Sequence, residues 1–146
     1  MPAPANGRIT RKIFLIATEE SGDRLGAHLM KVLRQRLGDA VGFEGVGGLA
    51  MAKEGLKSLF PIEELSIIGF SAVIKQLPKI SRLIRQTVAA AVLAKPDILI
   101  IIDSPDFTHR VARRVRSRLR RRGASAAGFS SMAITSRSLL VAFFIF

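Results

Sequence analysis

Two short apolar runs, each followed by an acidic segment and then a helical pattern, most constrain the fold of this chain. The first run is Lys12–Ala17 (KIFLIA) and the second is Asp97–Ile102 (DILIII). Uninterrupted apolar runs of this length are typical of strands buried on both faces of a parallel sheet. Val41–Val46 adds a third predicted strand. Strands that alternate with helices predict an α/β fold with a doubly wound parallel sheet.

The segments between these strands have helical spacing. After Thr18–Asp23, leucines and a valine recur at intervals of three and four residues, which predicts a helix that ends at Gly38. Ser21 or Asp23 is expected to cap the N-terminus of this helix. Three further helices are predicted, around Ala50–Glu54, over Ser71–Leu93 with a kink or break near Pro78, and from about Thr108 onward.

Composition limits the classes of site. With 146 residues and a hydrophobic fraction of 49%, the chain can bury a sizeable core, as one compact domain or as one part of a larger enzyme. The absence of cysteine excludes disulfides, thiolate metal sites and a cysteine nucleophile. His28 and His109 are the only histidines, so little remains for a histidine-based metal site. Composition therefore leaves little for a thiolate or histidine metal site, and we predict no cofactor.

The net charge of +12 is concentrated near the C-terminus. Residues 1–109 carry +3, whereas residues 110–146 carry +9 and contain no acid. The arginines of Arg110–Arg122 suggest a small module that binds nucleic acid or anionic lipid. Val111, Val115 and Leu119 recur every four residues, however, and the chain has no Tyr or Trp to stack on bases. An ordinary helix with a solvated basic face is therefore favoured, and no nucleic-acid partner is predicted.

No targeting or membrane-spanning segment is predicted. The first 12 residues lack the apolar stretch of a signal peptide, and Leu139–Phe146 is too short to cross a bilayer. The expected location is the cytoplasm, with peripheral membrane contact left open.

The segment after the first strand is a candidate binding loop. In open α/β sheets, ligands bind beyond the carboxyl ends of the strands. Ser21 and Gly22 lie where backbone N–H groups at a helix N-terminus could hold a phosphate or sugar hydroxyls. The acids Glu19, Glu20 and Asp23 favour sugar hydroxyls or a general base over a phosphate. A capped loop with solvated carboxylates is the structural alternative.

The segment after the Asp97–Ile102 run is the second candidate. Asp103 is expected at the tip of a buried strand, where a carboxylate can accept a proton from a substrate hydroxyl. The structural alternative is that Asp103 only ends the strand. Asp106 is interpreted as the cap of the following helix. His109, close to Asp106, is a weaker candidate for chemistry, and His28 is interpreted as a packed or surface residue.

Gly45–Gly48 (GVGG) resembles a phosphate-binding loop only loosely. It lacks the full G-x-G-x-x-G spacing, and no Walker lysine follows it. We interpret it as a tight turn where a backbone or a ligand comes close.

An apolar stripe precedes the strongest strand. Phe70, Val73, Ile74, Leu77 and Ile80 follow helical spacing, and lysines and arginines lie among them. This pattern suits a helix at an anionic membrane surface, and it equally suits packing against the sheet.

Four motifs in order resemble the lipid-A-disaccharide synthase family. The segment ATEESGDRLGA at Ala17–Ala27 resembles that family's first signature, and GVGGLAMAKEG at Gly45–Gly55 resembles its second motif. EELSIIGF at Glu63–Phe70 and KPDILIIIDSPDF at Lys95–Phe107 are similar to its third and fourth. The match covers roughly residues 12–118 and is more specific than any one motif.

The resemblance implies an inverting hexosyltransferase of the GT-B type with two Rossmann-like domains, of which this chain is the N-terminal half. Its substrates would be UDP-2,3-diacylglucosamine and 2,3-diacylglucosamine 1-phosphate, and its products lipid A disaccharide and UDP. Asp103 corresponds to the aspartate taken as the base, and Glu19 and Ser21 correspond to first-loop site residues. No metal is implied. Lipid substrates favour the membrane interpretation of the Phe70–Ile80 stripe, with the protein peripheral on the inner membrane.

The C-terminus departs from this family. We expect a flexible N-terminus at 1–11, an incomplete Rossmann-like domain at 12–122 and an atypical tail at 123–146. The tail shows neither clear alternation nor a steady helical stripe, although Ile134 or Leu139–Phe146 could pair weakly. An interrupted reading frame would explain such a tail, and the 146 residues alone are expected not to catalyse transfer.

Overall fold

A computed structural model describes residues 11–66, 73–102, 105–121, 130–136 and 139–145. In chain order the elements are β1 (Arg11–Ala17), α1 (Glu20–Leu37), β2 (Val41–Val46), α2 (Leu49–Lys53), α3 (Glu63–Ser66), α4 (Val73–Ala94), β3 (Ile98–Ile102), α5 (Pro105–Arg121), β4 (Ser130–Ser136) and β5 (Leu139–Ile145). The three predicted strands and the helices between them are confirmed. Helix α1 ends before Gly38, which caps its C-terminus as predicted. Gly38 has a φ of 61°, which suits glycine, and the Gly38 N–H donates to the carbonyl of Arg34. Helix α4 runs through Pro78 without a break.

The sheet has the order β2-β1-β3-β5-β4. Strands β2, β1 and β3 are parallel, which confirms the α/β class with a Rossmann-like parallel sheet. Sequence reasoning found no convincing strand after the Arg-rich helix, and here the structure differs. Strand β5 pairs antiparallel with β3, and β4 pairs antiparallel with β5. The apolar run of β5 thus occupies the edge of β3 that a fourth parallel strand would use.

Helices cover the parallel strands on both faces. Leu15 of β1 and Ile100 of β3 contribute to one core cluster, which includes Met30 of α1 and Met51 of α2. We call this side the α1/α2 face. The alternate strand residues contribute to a second cluster with α4 and α5, here the α4/α5 face. Because successive side chains of a strand point to opposite faces, both sides of the central strands are buried.

Asp97 fixes the start of β3 against the start of β1. Its Oδ2 accepts a hydrogen bond from the backbone N–H of Lys12 at 2.7 Å, and its own N–H donates to the Lys12 carbonyl at 2.9 Å. Arg11 lies 3.9 Å from the other carboxylate oxygen. These contacts lie at the amino ends of the strands, opposite the edge where ligands bind in such sheets.

Candidate functional site

The carboxyl ends of the three parallel strands meet at one edge. Ala17 at the end of β1 is the register partner of Ile102 at the end of β3, and Ile16 is the partner of Val46 at the end of β2. The chain therefore leaves β1, β2 and β3 at the same edge of the sheet. Asp103 itself lies outside the described residues, and its role as a base stays a prediction.

The first loop presents two of its predicted site residues to solvent. Glu19 and Ser21 are exposed, whereas Gly22 and Asp23 are buried. The predicted cap is wrong, because Glu19 occupies the N-cap position of α1 and no side-chain hydrogen bond caps it. Ser21 and Asp23 instead lie inside the first turn, since the backbone N–H of Asp23 already donates to the Glu19 carbonyl at 2.9 Å.

The carboxylate of Asp23 bonds to a different helix. Its Oδ1 accepts hydrogen bonds from the N–H groups of Gly48 at 2.7 Å and Met51 at 3.0 Å, and its Oδ2 accepts one from Ala50 at 2.8 Å. The residue is only 3% exposed. The first backbone N–H groups of a helix have no acceptor within that helix. Asp23 therefore supplies the acceptors for these groups at the start of α2. This differs from the solvated carboxylate that was the structural alternative for the loop.

The segment Gly45–Gly48 is a place of close backbone approach, as predicted, although Gly45 and Val46 belong to β2 and not to a turn. Gly45 has a φ of +139°, and a Cβ there would lie 1.8 Å from the carbonyl oxygen of Leu15. At Gly48 a Cβ would lie 2.7 Å from Oδ2 of Asp23. Ser58, which sequence reasoning missed, holds this segment from the other side, because the Gly47 N–H donates to its hydroxyl at 3.1 Å. No local pattern around Ser58 marks this contact.

A cavity of about 540 Å³ opens beside the first loop, between α1, α2 and α3. Its lining includes the charged residues Glu20, Asp23, Arg24, Lys53, Glu54 and Glu63, and the apolar residues Leu49 and Ile62. Carboxylates and cationic groups of this kind can hydrogen-bond the hydroxyl and amide groups of a sugar. A second cavity of about 340 Å³ shares Leu49 and Ile62 and extends past Leu59, Phe60 and Pro61. Both cavities have apolar walls, and the larger one carries most of the charged side chains.

Phe107, the last residue of the DSPDF segment, contributes to the core. Phe107 is 6% exposed and packs edge to face against Phe60, with ring centroids 6.3 Å apart. Helix α5 begins at Pro105, so Asp106 lies within its first turn and not at the predicted cap position. Proline suits the first helical position because its missing N–H would have no intrahelical partner there.

The apolar stripe of α4 divides between core and solvent. Leu77 is 47% exposed, whereas Ile80 is half-buried against the α4/α5 cluster. The membrane-facing role of these residues stays a prediction. Phe70 and the side chains of Val73 and Ile74 lie outside the described residues. Lys79 and Arg82 both approach Glu64 of α3, at 3.4 and 3.9 Å. The basic charge beside the stripe is therefore partly neutralised.

Helix α5 has the predicted solvated basic face. Val111 and Val115 are fully buried, while Arg110, Arg113, Arg114, Arg118 and Arg121 are exposed. Within the described residues, no helix is both long and apolar enough to cross a lipid bilayer. No group of three or more His, Cys, Asp or Glu side chains in this part of the chain could hold a metal ion. His28 lies on the surface of α1, which agrees with its interpretation as a packed or surface residue.

Comparison with known proteins gives one consistent family. Residues 13–123 match the family model described as lipid-A-disaccharide synthetase. The lipid-A-disaccharide synthase of Bradyrhizobium diazoefficiens is 78% identical over 108 residues, which cover 74% of this chain and 28% of that protein. The one from Nitrobacter winogradskyi is 71% identical over 120 residues, covering 82% of this chain and 30% of that protein. That of Paramagnetospirillum magneticum is 46% identical, with coverage of 73% and 27%. The chain thus spans less than a third of these relatives' length.

Proposed function

Because the chain belongs to the lipid-A-disaccharide synthase family, we propose that it forms the N-terminal part of a glycosyltransferase of lipid A biosynthesis. The reaction joins UDP-2,3-diacylglucosamine to 2,3-diacylglucosamine 1-phosphate and releases UDP. The main support is the match of residues 13–123 to the family model. Two of the motifs, Ala17–Ala27 and Gly45–Gly55, begin at the carboxyl ends of the parallel strands β1 and β2. The chain spans less than a third of its relatives, so we expect these 146 residues alone to form no disaccharide.

In the proposed reaction, an acceptor hydroxyl oxygen bonds to the anomeric carbon of the donor sugar. The bond from that carbon to the diphosphate breaks, and UDP leaves with the electron pair. Asp103 accepts the hydroxyl proton as general base. The support for this role is the register of Ala17 with Ile102, since Asp103 directly follows Ile102 in the sequence. Glu19 and Ser21, which are exposed in the first loop, are proposed to contact the sugar.

The test is a chimera in which residues 13–123 of this chain replace the matching segment of the Bradyrhizobium diazoefficiens relative. Disaccharide formation from the two acylated sugars is measured beside that relative. A chimera with native circular dichroism that forms no product, while the relative does, would contradict the proposed function.

Within an active chimera, Asp103→Asn tests the base. We expect kcat to fall by about 10²- to 10⁴-fold, the range for one positioned acid or base. Asp39→Asn is the matched control, because Asp39 is an exposed carboxylate that follows the C-terminus of α1, at the other end of this helix from the first loop. Asp103 is not the base if its variant keeps more than about a third of the activity.

We further propose that the protein acts in the cytoplasm, peripheral on the inner membrane, and that the Leu77 end of α4 contacts lipid. Leu77→Asp should weaken flotation of the 146-residue chain with phosphatidylethanolamine–phosphatidylglycerol vesicles. Leu93→Asp is the control, since Leu93 is 83% exposed near the other end of the same helix. Equal flotation of both variants would argue against this surface.

A further inference from the structure

We propose that Asp23 is a positioning residue for substrate binding and does not contact substrate itself. Its carboxylate fixes the start of α2, which forms one wall of the cavity beside Glu20. Asp23 also borders this cavity, but it is only 3% exposed and both its carboxylate oxygens accept backbone hydrogen bonds from residues 48–51. This changes the role expected from the sequence, in which Asp23 binds substrate directly. The kinetic part of the proposal rests on the proposed function, whereas the structural part does not.

Both carboxylate oxygens of Asp23 are already used inside the protein. Oδ1 accepts two backbone hydrogen bonds and Oδ2 accepts one, all between 2.7 and 3.0 Å. At 3% exposure the side chain is almost closed to solvent. A charged group that accepts several backbone N–H bonds is held in one orientation, because each of these bonds is stronger than one between neutral groups.

Close packing around this contact leaves little room for another arrangement. A Cβ at Gly48 would lie 2.7 Å from Oδ2 of Asp23 and 2.7 Å from Cδ1 of Ile62. A Cβ at Gly26, one turn after Asp23 in α1, would lie 2.6 Å from the sulfur of Met51. Helices α1 and α2 therefore meet through glycines, and the Asp23 carboxylate sits at the point of contact.

Helix α2 depends on this contact because it has only five residues. Such a short helix is not stable by its own propensity, so tertiary contacts determine where it lies. Leu49 and Ala50 belong to α2 and line the cavity together with Glu20 of α1. Loss of the Asp23 bonds should let α2 shift relative to α1 and change the shape of the cavity. We therefore expect the affinity for substrate to fall while the rate of the chemical step changes little.

Hydrogen exchange on the 146-residue chain tests the structural part. Asp23→Asn keeps one acceptor oxygen but places an amide N–H₂ where Oδ2 accepts from Ala50. We expect the amides of Gly48, Ala50 and Met51 to exchange more than about 10-fold faster, with those of β1 and β3 unchanged. Asp39→Asn should change none of them. Unaltered exchange at residues 48–51 in Asp23→Asn would overturn the proposal.

A second variant covers the case in which Asp23→Asn unfolds the whole chain. Asp23→Glu keeps two acceptor oxygens on a side chain that is one methylene longer, and the same amides are compared. Faster exchange confined to residues 48–51 supports the proposal. Uniform loss of protection in both variants overturns it, because Asp23 would then hold the entire fold and not α2 alone.

Kinetics in the chimera test the functional part. We expect Asp23→Asn to raise KM for the acylated sugar acceptor or donor by about 10-fold, with kcat changed less than about 3-fold. Asp23→Glu should partly restore KM, and Asp39→Asn should leave both constants unchanged. A merely structural role would lower the amount of active enzyme at constant KM, and a catalytic role would lower kcat alone; either result overturns the proposal. An inactive parent chimera would contradict the proposed function, while the exchange result on residues 48–51 would still stand or fall by itself.

Discussion

The two faces of the sheet are packed in different ways. Beside the α1/α2 face, glycines allow close approach: Gly26 of α1 lies against Met51, and Gly45 of β2 lies against the Leu15 backbone of the neighbouring strand. On the α4/α5 face, branched side chains fill the space between the sheet and the helices, among them Leu83 of α4 and Val111 of α5. The α1/α2 face should therefore be most sensitive to added atoms, and the α4/α5 face to removed atoms.

This difference coincides with where the family motifs lie. ESGD and GVGG fall at the α1/α2 contact, where a buried carboxylate and close glycines hold α2 in place. Helix α4 carries none of the four motifs, and its residues in the core cluster are aliphatic, whereas α5 begins within the fourth motif and buries Phe107. Close contacts of this kind fix the geometry of the candidate site beside α1 and α2. An aliphatic layer, in contrast, tolerates substitution of one apolar side chain by another of similar size.

Gly45→Ala should have the largest effect. Its Cβ would meet the Leu15 carbonyl at 1.8 Å, and a backbone atom in a central strand cannot move aside cheaply. We expect a loss of more than about 4 kcal/mol in the free energy of unfolding, measured by urea denaturation. Gly38→Ala is the control, because Gly38 also has a positive φ but has nothing within 4 Å. It should cost only the backbone strain, about 1–3 kcal/mol. An equal loss of unfolding free energy in the two variants would show that the close approach to Leu15 is not the reason for a glycine at position 45.

Leu83→Ala should have the next largest effect, on the opposite face. Leu83 is 1% exposed, and truncation of a buried leucine costs about 2–5 kcal/mol through lost burial and the cavity left behind. Leu93→Ala in the same helix should cost less than about 0.5 kcal/mol, because Leu93 is 83% exposed. If Leu83→Ala were more damaging than Gly45→Ala in the same urea titration, the contrast between the faces would be reversed.

Glu64→Gln should have the smallest effect. It removes the partner of Lys79 and Arg82 on the outside of the α4/α5 face. Partly exposed ion pairs of this kind contribute about 0.2–1 kcal/mol, and the loss should disappear in about 1 M salt. A loss that persists at high salt would indicate that the Glu64 side chain contributes through packing.

Local patterns were sufficient to predict the parallel strands. Val41–Val46 is bounded by an acidic turn and by glycines, and the structure gives β2 the same limits. The Gly45–Gly48 segment was also predictable as a close approach, because consecutive glycines after a strand have few other uses. In both cases the deciding information lies within a few residues.

Contacts between distant segments were not predictable in this way. An acid in the first turn of a helix usually indicates a cap for that helix, yet Asp23 bonds to amides 25 to 28 residues further along the chain. The run Leu139–Ile145 has no alternation that would identify a partner, and its pairing with β3 depends on an edge created elsewhere in the chain. Asp103 and the tail boundary at 122 stay predictions.

The paired contacts between Asp97 and Lys12 set the alignment of the candidate site from the far side of the molecule. They lock residue 12 beside residue 97, and the register then runs without a slip to Ala17 beside Ile102. The register that is set at Asp97 is kept along the five residues of β3, a length of about 16 Å at the usual rise per residue. A slip of one residue would turn the core side chains of β1 to the wrong face and move the first loop by one step along β3. The position of the first loop relative to the end of β3 is thus set by Asp97, a carboxylate of the fourth motif that lies at the opposite end of the strand.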